Sequence, residues 1–383
     1  MQNFEFNSTR SLVVEAGGAA RLGPRVAGMG LRSVLLVTDP GLIATGLLQP
    51  ALQNLAEHGV RVSLFSDVQA DPPESVILAA CQAARESEAD GVIGFGGGSS
   101  MDVAKLVALL VCSGESLDKV YGVNQAKGPR LPLLMVPTTA GTGSEVTPIS
   151  IVTTGVGEKK GVVSPFLLPE LALLDAELTL GLPVAVTAAT GIDAMVHAIE
   201  AYTSKRLKNP ISDCLAKEAL RLLAGALPVV CSDGGNVQAR ENMLLGACLA
   251  GMAFANAPVA AVHALAYPVG ARFHVPHGLS NALVLGAVTR FNLPSAQRWY
   301  AELALVVMPQ LAGDEQARAQ AFVEYLGDLS RQCGLPTRLR EVGISESDVQ
   351  ALAEDAMKQT RLLVNNPREV SLVDVQAMYR EAL

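Results

Sequence analysis

The chain has 383 residues, of which half are apolar and 17% are charged, and its formal net charge is −8. This length fits two domains of ordinary size, and this composition excludes a largely disordered protein. Because the net charge is negative and the lysines and arginines are scattered, we expect neither a nucleic acid nor an anionic membrane as partner. A small soluble substrate is the better expectation.

The amino terminus and the cysteines indicate the compartment. The first ten residues, MQNFEFNSTR, lack the basic flank and the apolar stretch of a secretion signal. The six cysteines lie far apart and form no CxxC pair, so the sequence predicts neither a zinc ribbon nor a disulfide framework. We therefore expect a cytoplasmic protein with buried free thiols.

The first half of the chain alternates short β-branched runs with helical ones, which is the pattern of a parallel sheet flanked by helices. The predicted strands cover residues 34–38, 60–65, 91–95, 131–136 and 171–174, and the predicted helices cover residues 41–58, 74–86 and 101–112. After residue 183 the segments are rich in Ala and Leu and have helical periodicity. The prediction is an α/β domain over residues 1–183 and an all-α domain over residues 184–383.

One uncharged stretch of the second half, residues 246–271, is long enough to cross a bilayer. It contains Asn256, Pro258, His263 and Pro268, which are costly or disruptive in a membrane span. We predict a buried helix followed by its exit loop.

Two loops that follow predicted strands carry the features of a nucleotide site. GVIGFGGGSSMDVAK passes from a strand through Gly96–Gly98 into a helix, with Ser99 or Ser100 as expected N-cap, so its free N–H groups can bind a phosphate. PTTAGTGSEVT, residues 137–147, adds hydroxyl groups and exposed amides after the next strand. Each loop alone is weak evidence, but two such loops at successive strand ends favour a nucleotide.

Asp39 ends the first predicted strand, where a carboxylate can bind a ribose and repel a 2′-phosphate, which favours NAD over NADP. The same Asp-Pro pair is an ordinary helix N-cap, and both interpretations stay open on the residues alone. Lys159 and Lys160 either neutralise a phosphate or form a solvated turn, and the turn is the simpler interpretation.

The second half contains a candidate metal site. Asp193 and His197 are four residues apart and share one face of a predicted helix, and His263 and His277 follow within one short, weakly charged region. One carboxylate and three imidazoles suit Fe²⁺, Zn²⁺, Ni²⁺ or Mn²⁺ without choosing among them. His274, three residues before His277, either faces this site as a proton shuttle or faces solvent.

At these residues the chain resembles the iron-dependent (group III) alcohol dehydrogenases. The resemblance runs through GFGGGSSMDVAK, PTTAGTGSEVT, LTLGLPVAVTAATGIDAMVHAIEAYTS and HALAYPVGARFHVPHG, and so covers both halves of the chain. It implies the fold that this family shares with dehydroquinate synthase, an NAD-binding α/β domain and a helical domain with catalysis between them. It also implies a homodimer or larger homo-oligomer, to which Phe4–Glu5–Phe6 could contribute a strand.

The resemblance assigns roles residue by residue. The implied metal ligands, for Fe²⁺ or Zn²⁺, are Asp193, His197, His263 and His277, and the implied NAD contacts are Gly97, Gly98, Ser99, Thr138, Thr139, Thr142 and Lys160, with Asp39 as the NAD selector. One position departs from the family pattern, because Tyr267 stands where many members carry a histidine linked to proton exchange. Three alternatives follow: Tyr267 donates a hydrogen bond in place of that histidine, His274 substitutes for it, or Tyr267 only shapes the pocket.

These features together predict a metal-dependent enzyme that transfers hydride between NAD(H) and a small primary alcohol or diol and its aldehyde. Alternatives are an oxo-acid reductase or a hydroxyacid–oxoacid transhydrogenase of the same superfamily. A lyase similar to dehydroquinate synthase is a third alternative, although such an enzyme needs a cluster of basic residues for its anionic substrate, and residues 246–271 contain none.

Overall fold

A computed structural model describes residues 3–155 and 158–383, and the chain divides into two compact units. The α/β unit consists of Asn7–Thr139 and Gly143–Leu180. The helical unit consists of Gly181–Leu383, to which Ala140–Thr142 and the amino-terminal residues up to Phe6 also belong. The expected fold class, an α/β part followed by a helical part, is confirmed.

The α/β unit is built on a parallel sheet. The strands described in this unit are β1 (Ser11–Val14), β2 (Ser33–Val37), β3 (Arg61–Phe65), β4 (Gly91–Gly96), β5 (Gly122–Val123), β6 (Leu133–Pro137), β7 (Ile149–Thr154), β8 (Glu158–Val163) and β9 (Leu171–Leu174). Six of them form one sheet in the order β1-β9-β6-β4-β2-β3, and every neighbouring pair is parallel. The five predicted strands are β2, β3, β4, β6 and β9, whereas β1, a partly exposed edge strand, was not predicted.

Helices cover both faces of this sheet, as a parallel sheet requires. They are α1 (Leu22–Gly28), α2 (Pro40–Thr45), α3 (Gln49–Glu57), α4 (Glu74–Glu86), α5 (Gly98–Ser113) and α6 (Leu117–Val120). Alternate residues of the strands face two separate cores: Leu35 and Met135 pack in the core with α4 and α5, and Leu36 and Ile93 pack in the core with α1 and α3. All strand positions in β2, β4, β6 and β9 are buried.

Several local predictions about this unit were wrong. The helix predicted over residues 41–58 is two helices, because Gly46 adopts a left-handed conformation with φ 75° and ends α2. The N-cap of α5 is Gly97, so neither Ser99 nor Ser100 caps this helix. Lys159 and Lys160 do not form a turn but lie on β8, which pairs with β7 and β5 in a second, three-stranded sheet.

The helical unit contains α7 (Val184–Thr203), α8 (Pro210–Ser232), α9 (Val237–Asn256), α10 (Ala261–Phe273), α11 (His277–Val307), α12 (Glu315–Gln332), α13 (Val349–Met357), α14 (Thr360–Leu363) and α15 (Leu372–Ala382). Among the described residues after 183 there is no strand, as predicted. The stretch 246–271 was predicted as one helix with an exit loop, but its second part is α10, which is bent by 107° from α9.

By length and composition α7 could cross a membrane, as could α9 and α10 if the bent pair counted as one span. However, 78% of the most apolar window of α7 is buried inside the protein, which is typical of a core helix. The cysteines are all free, and the prediction that they are buried holds for Cys81, Cys248 and Cys333. It was wrong for the others, because Cys112 and Cys214 are exposed and Cys231 is only partly buried.

Candidate metal and cofactor sites

The candidate metal site starts on α7, the buried central helix of the helical unit. Asp193 and His197 are one turn apart and point to the same side of this helix, and both side chains are almost completely buried. Nε2 of His197 lies 4.0 Å from Oδ1 of Asp193. The i, i+4 spacing thus produces the pair that the sequence predicts.

His263 and His277 reach the same carboxylate from two other helices. His263 is in the first turn of α10, and its Nε2 lies 3.8 Å from Oδ1 of Asp193. His277 is the first residue of α11, and its Nε2 lies 3.5 Å from the same oxygen. The chain turns between these helices at His274, which has a left-handed conformation with φ 56°. Pro276 is the N-cap residue of α11.

Close helix packing makes this convergence possible. A Cβ atom on Gly278 would lie 2.3 Å from the carbonyl oxygen of Ala189, so any larger residue would push α11 away from α7. A Cβ atom on Gly141 would likewise lie 2.7 Å from the Thr190 side chain. Gly278 therefore allows the residue before it, His277, to approach Asp193.

The four side chains form a compact group of ligand atoms. One ligand atom from each of Asp193, His197, His263 and His277 lies within 4.8 Å of the other three. Three of these residues are buried, and His277 is half-buried, with 32% of its side chain exposed. A single ion can therefore be reached by all four residues and, past His277, from solvent.

Electrostatics keep the two buried imidazoles, those of His197 and His263, in the form that binds metals. Burial lowers the pKa of His197 and holds the pKa of His263 well below its ordinary value. The neighbouring imidazoles also lower the pKa of His263. Burial alone would raise the pKa of Asp193, but the three histidines and Asn281 keep it below its ordinary value. Neutral imidazoles beside an ionised carboxylate are the protonation states that metal ligands require.

Two residues of this site were missed by sequence reasoning. Glu200, one turn after His197 on α7, accepts a hydrogen bond from Nδ1 of His263 at 2.7 Å. Asn281, one turn after His277 on α11, donates from Nδ2 to Oδ1 of Asp193 at 2.5 Å. Both occupy the same helix face as a ligand, at spacings of three and four residues, and that spacing was the signal available in the sequence.

The two predicted catalytic residues lie in different surroundings. Tyr267 is half-buried one turn after His263, and its ring centroid is 5.8 Å from that of His277 and 6.4 Å from that of His263. His274 is exposed at the C-cap of α10 and is not one of the four clustered residues. Tyr267 therefore belongs to the surroundings of the cluster, and His274 faces solvent.

The predicted cofactor residues of the α/β unit gather at the carboxyl ends of neighbouring strands. Asp39 follows β2, Gly97 and Gly98 follow β4, and Thr138 and Thr139 follow β6. The loops after β4 and β6 are adjacent, because Thr138 N–H donates to the carbonyl of Gly96 at 3.0 Å and a Cβ atom on Gly97 would be 3.8 Å from the Thr139 side chain. This edge of a parallel sheet is where dinucleotides bind in α/β folds.

Asp39 combines two environments. Its Oδ1 accepts a hydrogen bond from Leu42 N–H at 2.9 Å, so it is the N-cap of α2, with Pro40 as the first helical residue. Its other oxygen, Oδ2, faces the glycine turn, 3.5 Å from where a Cβ atom of Gly96 would be. Gly96 itself has φ 155°, and a side chain there would collide with Ser100. One carboxylate oxygen is thus used by the helix and the other faces the loop.

Three predicted cofactor contacts remain, and they lie in three different parts of the chain. Ser99 lies in the first turn of α5, and Thr142 groups with the helical unit. Lys160 is exposed on β8, with its Nζ 5.8 Å from the centroid of the Tyr121 ring.

A buried lysine that sequence reasoning missed joins α5 to the segment after β6. Nζ of Lys105 donates to Oγ of Ser144 at 2.8 Å, to Oγ1 of Thr147 at 3.2 Å and to the carbonyl of Ile149 at 2.7 Å. Burial lowers the pKa of Lys105 to about 8. Its three acceptors fix the position of the second hydroxyl-rich loop relative to the helix that begins at the glycine turn.

Comparison with known proteins extends over both halves of the chain. Residues 9–176 match the family profile described as "Iron-containing alcohol dehydrogenase", and residues 187–383 match "Fe-containing alcohol dehydrogenase family, C-terminal". The chain is 39% identical over 374 residues to long-chain-alcohol dehydrogenase 1 of Geobacillus thermodenitrificans, with 96% of this chain and 93% of the relative covered.

Solved structures of related enzymes have the same fold as this chain. The crystal structure of a 1,3-propanediol oxidoreductase is similar with a TM-score of 0.96 and 34% identity over 100% of both chains. Sulfoacetaldehyde reductase from Bifidobacterium kashiwanohense in complex with NAD⁺ has a TM-score of 0.89 and 28% identity, with 100% of this chain and 99% of that chain covered. The predicted identity as an enzyme of a family that uses NAD and iron is confirmed. The chain belongs to the iron-containing alcohol dehydrogenase family.

Proposed function

We propose that this enzyme interconverts small primary alcohols or diols and their aldehydes with NAD(H), at a divalent metal bound by Asp193, His197, His263 and His277. The observation that carries this proposal is the convergence of one carboxylate and three imidazoles within 4.8 Å. We further propose a division of labour in which residues 1–183 bind NAD and residues 184–383 bind the metal and carry out catalysis.

The residues present fit an iron or zinc ion. All three imidazoles direct Nε2 at Oδ1 of Asp193, and the Nδ1 atom of His263 is already bonded to Glu200. Oδ1 of Asn281 is buried beside them and has no hydrogen-bond partner among the described residues. A set of one oxygen and three nitrogen ligands is a common site for Fe²⁺ and Zn²⁺ and is poorly suited to Mg²⁺ or Ca²⁺.

A bound divalent metal supplies a Lewis acid that lowers the pKa of a hydroxyl group, and NAD supplies the acceptor for the hydride. The protein supplies the rest. The four ligands hold the site in a fixed geometry on buried helices, and the apolar surroundings of α7 limit the access of water. Such rigid placement of the reacting groups accounts for much of the rate enhancement in enzymes of this kind.

NAD binding is assigned to the loops of the α/β unit. The N–H groups at the start of α5, at Gly97, Gly98 and Ser99, face the position of a diphosphate, and Thr138 and Thr139 add hydroxyl groups beside them. Oδ2 of Asp39 is directed at the same turn and disfavours the 2′-phosphate of NADP. Thr142 and Lys160 complete the proposed set of contacts.

Proton transfer is assigned to α10. Tyr267 lies beside His263 and His277, and His274 follows seven residues later, at the exposed C-cap of the same helix. We propose that the Tyr267 hydroxyl exchanges the substrate proton and that His274 passes it to solvent.

The substrate proposal is tested with the metal-free enzyme in the absence of oxygen. Fe²⁺ or Zn²⁺ is added, and NAD reduction is followed with short primary alcohols and diols, while NADH oxidation is followed with aldehydes and oxo acids. We expect metal-dependent turnover with alcohols and aldehydes, and none in Asp193→Asn. Turnover with oxo acids alone would identify the reductase alternative, and no metal-dependent turnover with any alcohol or aldehyde would refute the proposal.

We also propose a cytoplasmic enzyme that forms a homodimer or a larger homo-oligomer. Residues 4–6 are not in a strand of the single chain, yet Phe4 is 38% exposed and β1 is an edge strand of the sheet. Unpaired edges and exposed apolar side chains are features of surfaces that pair with a second copy. Sedimentation of the wild type against Phe4→Asp tests this proposal.

A further inference from the structure

Glu200 is a buried glutamate that is neither one of the proposed metal ligands nor one of the proposed substrate or cofactor contacts. It lies on α7, and the residue is only 4% exposed. A carboxylate in such surroundings is costly unless hydrogen bonds compensate for its lost hydration. Its partners therefore indicate what it does.

Both oxygens of Glu200 accept hydrogen bonds from the start of α10. Oε2 accepts from Ala260 N–H at 2.9 Å, and Oε1 accepts from Val262 N–H at 2.7 Å. The N-cap residue of α10 is Ala260, which has no side chain able to cap the helix. Glu200 thus replaces the missing cap from another helix.

Oε2 of Glu200 has a second partner, Nδ1 of His263 at 2.7 Å. Both oxygens of Glu200 already accept hydrogen bonds from backbone N–H groups, so we take Glu200 as the acceptor here as well, which places the proton of a neutral His263 on Nδ1. Nε2, which lies 3.8 Å from Asp193, is then left with its lone pair directed into the cluster. A carboxylate behind a metal-binding histidine raises the basicity of the ligand and fixes its ring.

We propose that Glu200 is a positioning residue for the metal site, which sets the tautomer and orientation of His263 and anchors the start of α10 that carries it. Resting on the proposed function, this inference adds a residue that controls how tightly the metal is held. The same carboxylate fixes both the histidine ring and the backbone one and three residues before it, so ring and helix cannot shift independently.

Glu200→Gln tests this proposal with nearly the same side-chain volume. If the amide oxygen takes the place of Oε2, the NH₂ group faces Val262 N–H, and two donors oppose each other. If the NH₂ group takes that place, it donates to Nδ1 of His263 and forces the proton to Nε2, which blocks metal binding. We expect the Kd for Zn²⁺, measured by competition with a chromophoric chelator, to rise about 10- to 100-fold.

Asn236→Ala is the matched control for the loss of a cap. Oδ1 of Asn236 caps α9 by accepting from Ala239 N–H at 3.0 Å, and this residue is not part of the metal cluster. We expect Asn236→Ala to lower stability while leaving the Kd for Zn²⁺ unchanged. An unchanged Kd in Glu200→Gln would show that Glu200 is only a helix cap and would overturn the proposal.

A second measurement determines the tautomer in the wild type and uses a variant only to assign the signal. The five histidines give few signals in ¹⁵N NMR, and His263→Gln identifies the signal of interest in the metal-free protein. A proton on Nδ1 of His263 supports the proposal, and a proton on Nε2 overturns it. If the wild type itself binds no Zn²⁺, the proposed function fails together with this inference, whereas equal binding by wild type and Glu200→Gln defeats the inference alone.

Discussion

Nδ2 of Asn281 lies 2.5 Å from Oδ1 of Asp193 and 3.4 and 3.3 Å from Nε2 of His263 and His277. One amide group therefore faces three of the four proposed ligands. An N–H donor next to a buried carboxylate partly replaces the hydration that the carboxylate has lost. We infer that Asn281 stabilises the cluster when no ion is bound.

Asn281→Leu is expected to lower the free energy of unfolding of the metal-free enzyme by about 1.5–3 kcal/mol, because it removes a hydrogen bond to a buried charge. Saturating Zn²⁺ should reduce this deficit, since the ion then neutralises Asp193. Urea unfolding with and without Zn²⁺ measures both values. Asn292→Leu is the control, because Asn292 pairs with Asn366 in a neutral buried contact. Its deficit should not depend on Zn²⁺, and a metal-independent deficit in Asn281→Leu would contradict the role of Asn281.

The stability of the metal-free enzyme should decrease as the pH falls from about 6.5 towards 4.5. The pKa values of His197 and His263 are lowered by burial, so below the ordinary histidine pKa of 6.5 the unfolded chain binds two protons that the folded protein does not. The pKa of Glu200 is raised by burial to about 7, and burial also raises the pKa of Asp102, so these two carboxyl groups have the opposite effect. The free energy of unfolding should therefore change by at most about 1.4 kcal/mol per pH unit.

This pH dependence has a variant that tests its origin. In His197→Phe one of the two histidine contributions is lost, so the decrease in stability between pH 6.5 and 4.5 should be smaller than in the wild type. His58→Gln, which changes an exposed histidine, should behave as the wild type. Urea unfolding of metal-free protein at several pH values gives the slopes. Equal slopes in His197→Phe and wild type would show that the acid sensitivity has another source.

Tyr267 should control the pH profile of catalysis. Tyr267→Phe removes the hydroxyl group proposed to exchange the substrate proton and is expected to lower kcat for alcohol oxidation at least about tenfold, while leaving the KM for NAD unchanged. Tyr267→His should restore activity with a pH dependence shifted to the acid side, because an imidazole titrates at a lower pH than a phenol. Tyr325→Phe on α12 is the control. If Tyr267→Phe retains the wild-type pH profile, this tyrosine only shapes the pocket.

Asp39 should separate cofactor choice from helix capping. In Asp39→Asn the amide oxygen can still accept from Leu42 N–H, so stability should change little, while the lost charge should reduce the preference for NAD over NADP about tenfold or more. Asp314→Asn, a cap of α12, is the matched control and should alter neither quantity. The ratio of kcat/KM for NAD and NADP is the measurement. A preference unchanged in Asp39→Asn would leave Asp39 as a helix cap only.

The sequence predicted the elements that have a strong local pattern and missed those that depend on tertiary pairing. The fully buried strands of the parallel sheet were recognised from their apolar runs, whereas β1 is a partly exposed edge strand without such a run. Strands β7 and β8 were missed because their pairing depends on the second sheet that they form. The helix predicted over residues 41–58 was too long, because α2 ends at Gly46. The left-handed conformation of this glycine cannot be read from a pattern of apolar residues.

In the candidate metal site, too, some residues could be predicted from the sequence and others could not. The four proposed ligands were chosen because Asp193 and His197 share a helix face and few histidines compete with them. Glu200 and Asn281 each follow a proposed ligand by three or four residues, but this spacing alone does not identify a partner, because the role of such a Glu or Asn depends on which helix packs against it. Gly278 likewise has its role only where α11 meets the carbonyl of Ala189.

The central proposal is that Asp193, His197, His263 and His277 together bind one metal ion. The most direct measurement is elemental analysis after anaerobic dialysis of the metal-free enzyme against Fe²⁺, with Asp193→Asn and His58→Gln treated in parallel. We predict one iron per chain in the wild type and in His58→Gln, and much less than one in Asp193→Asn. Equal iron contents in all three proteins, or no iron in the wild type, would contradict the account.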